Sequence, residues 1–542
     1  MKNIRTLIAF IIVLALAAFL RFYQLGNSNN GFYLDEAAIG YNAYSVMLTG
    51  KDEFGKSFPL LFRSFTDFKA PLYIYLSIIP IKVLGLSVFS TRFLSAFSGL
   101  TAVFVCYFLI NMITKSNRLL SLITTLTLAI APWHVFYSRG AWESNLSLLL
   151  LLVGSYFCFR GFQTKTKLLF LLGSVFFVLS AYAYHGQRIV APLILGTYIL
   201  YFRNWLLENK KFLIQSFIAI TIIALPILII SFTPGGQSRV KSLNYFSSQS
   251  ILPWQNSNSL IKNHTLIATR KWFALYTAYY SPKNLFSPDP AEKQRWLVDL
   301  ATFYTWQFPF FIIGIFALIR SKKYSELKMF IIPWLMFSSV AAAFTGDPFS
   351  TVRALPLVFP LCVIIAVGIA EAYLTISQKT RIFLPVFSII ILTSVSIINL
   401  LTQLIYILPY ERAKFWEVGY SSMINELQKY PNNHVVIDNS RGESYIHLLF
   451  FTKFDPSAYQ KETGYLELPN YYNSFTRVNE KKFGQFEYRS INWGREEKEG
   501  NIVAGDELMA SKESIISNPR RQLIKEILFP DKSVAFRIIK AF

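Results

Sequence analysis

The apolar run at residues 7–20 reads LIAFIIVLALAAFL and contains no charged residue. Further apolar runs begin near residues 92, 118, 143, 168, 188, 212, 303, 328, 355 and 382. A helix needs about 20 apolar residues to cross a bilayer, and each of these runs approaches that length. The sequence therefore predicts an α-helical polytopic membrane protein with about eleven transmembrane helices.

The composition of the whole chain supports a membrane protein. Of its 542 residues, 53% are hydrophobic, 17% are aromatic and 15% are charged, whereas soluble globular proteins are about 25% charged. The net charge is +22, but much of it lies in short basic clusters between apolar runs, which is typical of membrane topology. A nucleic-acid partner would need a contiguous basic face, so we expect none. The three cysteines, Cys106, Cys158 and Cys362, each lie inside an apolar run and are expected to pack there.

The segment 70–86 decides the predicted topology. It contains Pro71, Pro80 and Lys82 and is short for a span. If it stays outside, sixteen basic residues fall in the inner segments and only three in the short outer loops. If it crosses, that distribution is inverted. We therefore expect 70–86 to lie on the outer surface as an amphipathic helix.

This topology predicts two domains. Residues 1–408 form a transmembrane domain with outer loops 21–91 and 232–301, and residues 409–542 form a small extracytoplasmic domain. The N-terminus, with Lys2, Arg5 and Ala15-Leu16-Ala17, also resembles a cleavable signal peptide. We favour a retained first span because the apolar run continues to Leu20.

The C-terminal domain has the pattern of an α/β fold. Apolar residues recur at helical spacing between Trp416 and Leu427, and Pro431 ends that helix. The segments 434–438 and 534–539 are predicted strands, and 443–451 is a predicted helix. The domain has neither a GxGxxG motif nor a P-loop.

The first outer loop holds an acidic pair, Asp35-Glu36, at the predicted start of a helix that ends before Gly50. Asp35 as N-cap and Glu36 as a first-turn charge is one interpretation. The other is that a carboxylate kept ionised at a helix N-terminus acts as a base. Adjacent helical residues point about 100° apart, so the pair is not expected to be the facing carboxylate pair of a glycosidase.

A second helix is predicted after Asp67-Phe-Lys69-Ala-Pro71-Leu-Tyr73. Lys69 would lie at the level of the outer head groups. It is either an interfacial lysine with an extended side chain or a phosphate ligand, and Asp67 and Tyr73 beside it are candidate substrate contacts.

The short outer loops contribute single arginines. Arg139 lies four residues before Glu143, a spacing that an intrahelical ion pair would also explain. Tyr184, His185 and Arg188 form a second polar cluster, and Arg353 lies in a third loop. An interfacial anchor is the usual role of one such arginine, but three converging arginines would bind an anion.

The order of these motifs carries a resemblance to a known family. After the first span come Asp35-Glu36, then Asp67 to Tyr73, then Ser90-Thr-Arg92-Phe-Leu-Ser-Ala-Phe-Ser-Gly99, and later Tyr137-Ser-Arg139 and Arg353-Ala-Leu-Pro356. Over roughly residues 1–400 the chain resembles the GT-C superfamily of membrane glycosyltransferases. It is most similar to the branch of protein mannosyltransferases (glycosyltransferase family 39) and lipid A aminoarabinose transferases.

The resemblance implies an inverting glycosyltransferase of the plasma membrane whose active site and C-terminal domain face the extracytoplasmic side. It implies a polyprenyl-phosphate-linked sugar donor and an acceptor that is a protein, a lipid or a cell-envelope glycan. It also implies that Asp35 is the base. Lys69 and the loop arginines Arg139, Arg188 and Arg353 would then stabilise the phosphate leaving group, whose charge grows in the transition state. Glu143, Tyr184 and His185 are further candidate substrate contacts.

Other functions stay open at this stage. A lipid-linked sugar transporter or flippase would need charged residues along a path through the spans, which are nearly uncharged. A glycan polymerase or ligase would use similar donors. An oligosaccharyltransferase is disfavoured because the C-terminal domain lacks a WWDYG-type motif, and about eleven spans would be excessive for a non-catalytic adhesion protein. No cofactor is predicted with certainty. Asp35, Glu36 and His185 are candidate ligands of a divalent metal, although no ligand spacing supports such a site.

Overall fold

A computed structural model describes residues 2–27, 31–65, 67–237, 264–288, 296–377, 383–440, 442–473 and 478–542. Parts of the predicted outer loop 232–301 lie outside these ranges. The chain divides into two compact units. The helical unit comprises Met1–Tyr23 and Ser95–Gln403, and the mixed unit comprises Gln24–Leu94 and Leu404–Phe542.

The N-terminal part of the chain is helical apart from one short hairpin. Its elements are α1 (Lys2–Phe22), α2 (Leu34–Thr49), β1 (Phe62–Ser64), β2 (Asp67–Lys69), α3 (Pro71–Leu84), α4 (Val88–Ile113), α5 (Arg118–Ile130), α6 (Pro132–Arg139), α7 (Glu143–Gln163), α8 (Lys167–Ala183), α9 (Gln187–Tyr201), α10 (Arg203–Glu208) and α11 (Lys210–Ser231).

The next part is also helical. Its elements are α12 (His264–Ala278), α13 (Pro282–Phe286), α14 (Phe308–Arg320), α15 (Ser325–Ser338), α16 (Val340–Ala343), α17 (Val358–Ser377), α18 (Phe383–Thr402) and α19 (Leu408–Glu411). Short 3₁₀ turns at Thr305–Gln307, Lys322–Tyr324 and Leu355–Leu357 precede α14, α15 and α17, and a π-turn at Gln403–Ile407 joins α18 to α19.

By length and composition, seven described helices can cross a bilayer. They are Ile4–Phe22, Val88–Ile113, Glu143–Gln163, Lys210–Ser231, Lys322–Ala343, Leu355–Ile376 and Phe387–Glu411. The pair Arg118–Ile130 and Pro132–Arg139 is bent by 53° and would make an eighth. Proline at position 132 explains that break, since it cannot continue the helical hydrogen bonds of α5.

The predicted count of about eleven spans is therefore higher than the number of helices that are long enough. The remaining predicted runs are helical but short, namely Lys167–Ala183, Thr305–Arg320 and the 15-residue α9. Some apolar runs that are continuous in the sequence are thus shorter as helices, because the chain turns within the run. The protein is nevertheless an integral membrane protein by its candidate spans.

The segment that decides the topology forms α3, which has 14 residues. Such a helix rises only about 21 Å, short of a hydrocarbon core of about 30 Å. The expected amphipathic character is weak, because Ile79, Val83 and Leu84 share the exposed surface with Lys82. An apolar exposed surface of this kind is suited to contact with lipid.

The mixed unit contains a six-stranded sheet. Its elements after α19 are α20 (Tyr420–Leu427), β3 (Val435–Ile437), α21 (Tyr445–Phe451), α22 (Pro456–Glu462), β4 (Lys481–Phe483), β5 (Phe486–Tyr488), α23 (Trp493–Glu499), β6 (Ile502–Gly505), α24 (Lys512–Ile516), β7 (Arg521–Leu528) and β8 (Val534–Ala541). The strand order is β4-β5-β3-β6-β8-β7.

Parallel and antiparallel pairing are combined in this sheet. The central strand β3 is parallel to β5 and β6, with Val435 opposite both Phe486 and Ile502. The other pairs are antiparallel. All three residues of β3 are buried, and the predicted C-terminal α/β fold is confirmed.

Residues of the first loop pack within the same unit as the C-terminal residues. The Arg63 guanidinium forms an ion pair with Glu467 at 2.8 Å, and both side chains are at least 94% buried. The Tyr41 hydroxyl donates to the Phe454 carbonyl at 3.0 Å. This grouping of 24–94 with 404–542 differs from the division into 1–408 and 409–542 expected from sequence, which rested on composition and could not register contacts between distant segments.

Candidate active site

The acidic pair lies at the N-terminus of α2. The helix begins at Leu34, so Asp35 is its second residue and does not occupy the N-cap position expected from sequence. The Tyr33 amide donates to Glu36 Oε2 at 3.1 Å, which closes the first turn. At the other end, Gly50 adopts φ 69°, a left-handed conformation that ends the helix as predicted.

Glu36 is committed to a buried ion pair. Its carboxylate accepts from Arg92 Nε at 2.8 Å and from the Arg92 Nη2 at 2.7 Å. The Glu36 side chain is 1% exposed and that of Arg92 is 8% exposed. Arg92 also donates to the Gly31 carbonyl at 2.8 Å and lies over the Phe32 ring. A bidentate ion pair of this kind is stronger than a hydrogen bond between neutral groups and is geometrically specific, so it fixes Glu36 in place.

Asp35 has a different environment. Its side chain is 30% exposed, and Oδ1 lies 3.1 Å from Lys69 Nζ. The lysine side chain is 13% exposed. An opposite charge at this distance and the helix N-terminus both favour a charged carboxylate. Burial thus distinguishes the two neighbouring acids, because the Asp35 side chain is 30% exposed and the Glu36 side chain is 1% exposed.

The hairpin β1–β2 positions Lys69. Lys69 is the last residue of β2 and lies opposite Phe62 of β1. The Phe68 amide donates to Asp67 Oδ1 at 2.8 Å, a contact between neighbouring residues of β2. The strand then ends because Pro71 begins α3.

Tyr73, a candidate substrate contact, lies inside the mixed unit. Its side chain is fully buried, and its hydroxyl donates to the Thr91 carbonyl at 3.3 Å. The structure therefore places Asp35, Glu36, Asp67, Lys69 and Tyr73 in one unit, with Asp35 and Lys69 in direct contact.

The loop arginines belong to the helical unit, where each donates a hydrogen bond to a different acceptor. Arg139, the last residue of α6, donates to the Leu20 carbonyl at 2.9 Å. Arg188 donates to Ser231 Oγ at 3.0 Å. Arg353 pairs with Asp347 and donates to Thr345 Oγ1 at 2.8 Å.

The other candidates of the helical unit lie at helix ends. Glu143 begins α7, whereas Arg139 ends α6, so the two residues are not on one continuous helix. Tyr184 is buried and follows α8, and its amide donates to the Ser180 carbonyl at 3.0 Å. His185 follows it and is half-buried.

The sequence did not identify the partners of the buried charges. Arg92 was noted only as part of a motif, although a charge at the start of an apolar helix requires a partner. Arg21 is a second example. It is completely buried in the helical unit, and its guanidinium lies 2.8 Å from His134 Nδ1. The sequence could suggest that these arginines are buried, but it could not identify the residue that pairs with each of them.

A metal site was left undecided by the sequence. Among the residues that the structure describes, no three His, Cys, Asp or Glu side chains form a group able to hold a metal ion. Asp35 and Glu36 belong to the mixed unit and His185 to the helical unit.

Comparison with known proteins gives matches among solved structures alone. No protein-family model and no curated protein sequence matches the chain. ArnT from Cupriavidus metallidurans in the apo state aligns over 100% of this chain and 98% of its own, with a TM-score of 0.53 and 11% identity. The same protein bound to undecaprenyl phosphate aligns over 97% of both chains, with a TM-score of 0.52 and 11% identity.

An archaeal protein has a similar fold. Oligosaccharyltransferase AglB from Archaeoglobus fulgidus, in complex with an inhibitory peptide and a dolichol-phosphate, aligns over 94% of this chain and 70% of its own. Its TM-score is 0.52 and its identity is 12%. At such low identity these matches establish the fold, and they confirm the fold that the motif order implied.

Proposed function

We propose that this chain, which has the GT-C fold, is a membrane glycosyltransferase that transfers a sugar from a polyprenyl-phosphate donor to an extracytoplasmic acceptor, with inversion. Structures of the same fold are described with undecaprenyl phosphate and with dolichol-phosphate. The observation that carries the proposal is the contact of Asp35 with Lys69, which places a partly exposed carboxylate 3.1 Å from an ammonium group.

Asp35 supplies the base in this reaction. The acceptor hydroxyl attacks the anomeric carbon, its proton passes to the Asp35 carboxylate, and the bond from that carbon to the phosphate oxygen breaks. A single displacement of this kind inverts the configuration. General base catalysis of such a step is worth about 10²–10⁴-fold in rate.

Lys69 stabilises the leaving group. The phosphate gains negative charge as the sugar departs, so a fixed ammonium binds the transition state more strongly than the ground state. In the structure the Lys69 ammonium lies 3.1 Å from Asp35 Oδ1, and an ammonium group carries three donors. Glu36 acts through Arg92 to hold the helix N-terminus, which makes it a positioning residue.

Release of lipid phosphate tests the function directly. The full chain, purified in detergent, is incubated with synthetic polyprenyl-phosphate sugars together with peptide, lipid and glycan acceptors. The proposal expects lipid phosphate and a glycosylated acceptor in equal amounts. A lipid-linked sugar transporter would move the intact donor across a vesicle membrane without breaking that bond, which would refute the proposal, whereas a glycan polymerase or ligase would be recognised by its acceptor.

The topology proposal concerns α3. We expect both of its ends to lie outside, together with residues 409–542, because the helix is too short to cross and the basic residues concentrate in the opposite segments. Cysteines replacing Phe58, which is exposed, and Ser87, a half-buried polar residue just after α3, should each react with an impermeant maleimide in intact cells. The native Cys106, Cys158 and Cys362 are buried and should add little background. Protection of position 87 alone would show that α3 crosses the membrane.

The arginines Arg139, Arg188 and Arg353 are proposed to share an outer cavity of the helical unit, where at least one of them contacts the donor phosphate. A hydrogen bond to a charged group contributes about 1.5–3 kcal/mol, so the corresponding Arg→Ala variant should bind the donor about 10–150-fold more weakly. Donor affinity is measured by titration of the purified variants. Arg160, exposed near the opposite end of α7, serves as the control. Unchanged affinity in all three variants would contradict the assignment.

A further inference from the structure

A tight turn after α2 is built on a buried carboxylate. Asp52 Oδ1 accepts from the amides of Phe54 at 3.0 Å and Lys56 at 2.9 Å. Its Oδ2 accepts from the Tyr471 hydroxyl at 2.6 Å, and the residue is completely buried. Asp52 therefore fixes the shape of the turn and, through Tyr471, joins it to the C-terminal residues of the same unit.

Glu53, the next residue, joins that turn to two helices. Its Oε1 accepts from Asn42 Nδ2 at 3.0 Å, and its Oε2 lies 3.0 Å from the Tyr445 hydroxyl. The Glu53 amide in turn donates to Asn42 Oδ1 at 3.0 Å. Asn42 lies in the middle of α2 and Tyr445 begins α21. One side chain, 1% exposed, thus connects segments 392 residues apart.

The packing around this contact is close. A Cβ atom at Gly40 would lie 2.6 Å from both the Phe450 ring and Thr91 Oγ1. A Cβ atom at Gly464 would overlap the Glu53 carbonyl oxygen. Neither the helix nor the turn can shift far without a clash, so the loss of Glu53 cannot be compensated by a small adjustment.

Burial also affects the protonation of the neighbouring carboxylates Asp52 and Glu53. It raises the pKa of Glu53 to about 7, although hydrogen bonds from Asn42 and Tyr445 act in the opposite direction. It raises the pKa of Asp52 to about 6 in the same way, against the hydrogen bond from Tyr471. The titratable groups that act on Glu53 are Asp52, Tyr41, Tyr445, Tyr459 and Lys481.

We propose that Glu53 is a positioning residue that fixes α2, and with it Asp35, to α21. Asn42 lies seven residues after Asp35, about 10 Å along the helix axis, and a continuous helix transmits its position to the N-terminus. The proposal rests on the proposed function only in assigning the reaction to Asp35. The contact itself can be tested without any substrate.

Hydrogen exchange of the full chain in detergent provides that test. Glu53→Ala removes the carboxylate that contacts both Asn42 Nδ2 and the Tyr445 hydroxyl, so amides in residues 34–49 should exchange at least about tenfold faster. Glu53→Gln preserves one acceptor and one donor in the same places and should exchange as slowly as the wild type at pH 6. Glu499→Gln, an exposed carboxylate, is the control. Equal exchange in Glu53→Ala and wild type would overturn the proposal.

The pH dependence gives a second measurement that holds even if Glu53→Ala fails to fold. The pKa of Glu53 is raised on folding, so its contribution to stability is complete below pH 4.5 and is lost as the pH rises through about 7. After correction for intrinsic rates, α2 of the wild type should therefore loosen between pH 6 and 8, and α2 of Glu53→Gln should loosen less. The same response in both proteins would reject a positioning role for the Glu53 carboxyl.

Activity separates this proposal from the function on which it rests. Turnover of Glu53→Ala should fall at least about tenfold with little change in donor KM, and Glu53→Gln should restore it. If α2 exchanges faster in Glu53→Ala but Asp35→Asn keeps full turnover, the role of Glu53 is supported and Asp35 is rejected as the base. If α2 exchange is unchanged in Glu53→Ala but Asp35→Asn is inactive, only the role of Glu53 is rejected.

Discussion

Replacing Asp35 by asparagine is expected to lower turnover by about 10²–10⁴-fold. The amide keeps the size of the carboxylate but cannot accept the proton of the acceptor hydroxyl. The ion pair with Lys69 is partly exposed and contributes at most about 1 kcal/mol, so the variant should fold and bind the donor almost normally. Release of lipid phosphate per enzyme molecule is the measurement, with donor saturating.

A matched variant distinguishes loss of the base from loss of a negative charge. Asp531 is an exposed aspartate of the same unit whose Oδ1 accepts from the Ser533 amide at 2.9 Å, and Asp531→Asn should retain full turnover. Full turnover of Asp35→Asn with a folded but inactive Glu36→Gln would transfer the role of base to Glu36. Full turnover of both would leave the acidic pair with a structural role and remove the main support for the mechanism.

Replacing Arg92 by methionine is expected to cost about 3–5 kcal/mol of stability. The variant leaves the Glu36 carboxylate 99% buried without the guanidinium that compensates its charge. The double variant Glu36→Gln, Arg92→Met removes that charge and should recover part of the loss. The unfolding temperature of the purified protein, followed by tryptophan fluorescence in detergent, provides the measurement.

An exposed ion pair supplies the control for this effect. Lys115 lies 2.7 Å from Glu326, with side chains 76% and 41% exposed. Water and salt screen such a pair, so Lys115→Met should leave the unfolding temperature almost unchanged. If Arg92→Met had as small an effect as Lys115→Met, Glu36 would not depend on Arg92, and its assignment as a positioning residue would fail.

The grouping of the first loop with the C-terminal residues has a functional consequence. The turn that follows α2 is held by Tyr445 and Tyr471, which lie far beyond the last candidate span. If Asp35 is the base, the C-terminal region contributes to the position of the reacting groups.

Local patterns determined the elements of this protein. Apolar runs predicted the helices because burial in lipid requires a continuous apolar segment. Gly50 predicted the end of α2 because glycine adopts the left-handed conformation without strain. The continuous apolar run from Val435 to Ile437 predicted the central strand. All these signals lie within a few residues of the structure that they specify.

The lengths and exact starts of helices were less well determined. The run beginning near residue 118 is continuous in hydropathy, yet Pro132 divides it into two helices bent by 53°. Asp35 was a candidate N-cap, but the helix begins one residue earlier and the Glu36 carboxylate instead accepts from the Tyr33 amide. Competing polar contacts within one turn decide such details.

Tertiary structure alone decided the roles of the charged residues. Local sequence did not indicate which of Asp35 and Glu36 is buried, and the fold separated them by burying Glu36 against Arg92, 56 residues away, while leaving Asp35 partly exposed beside Lys69. It also joined Glu53 to Tyr445 across 392 residues. Hydrophobic patterning acts along the chain and can be recognised there. The partner of a buried charge is chosen by the folded chain, because a charge taken from water is stabilised by whichever opposite charge or hydrogen-bond donor the packing brings within about 3 Å.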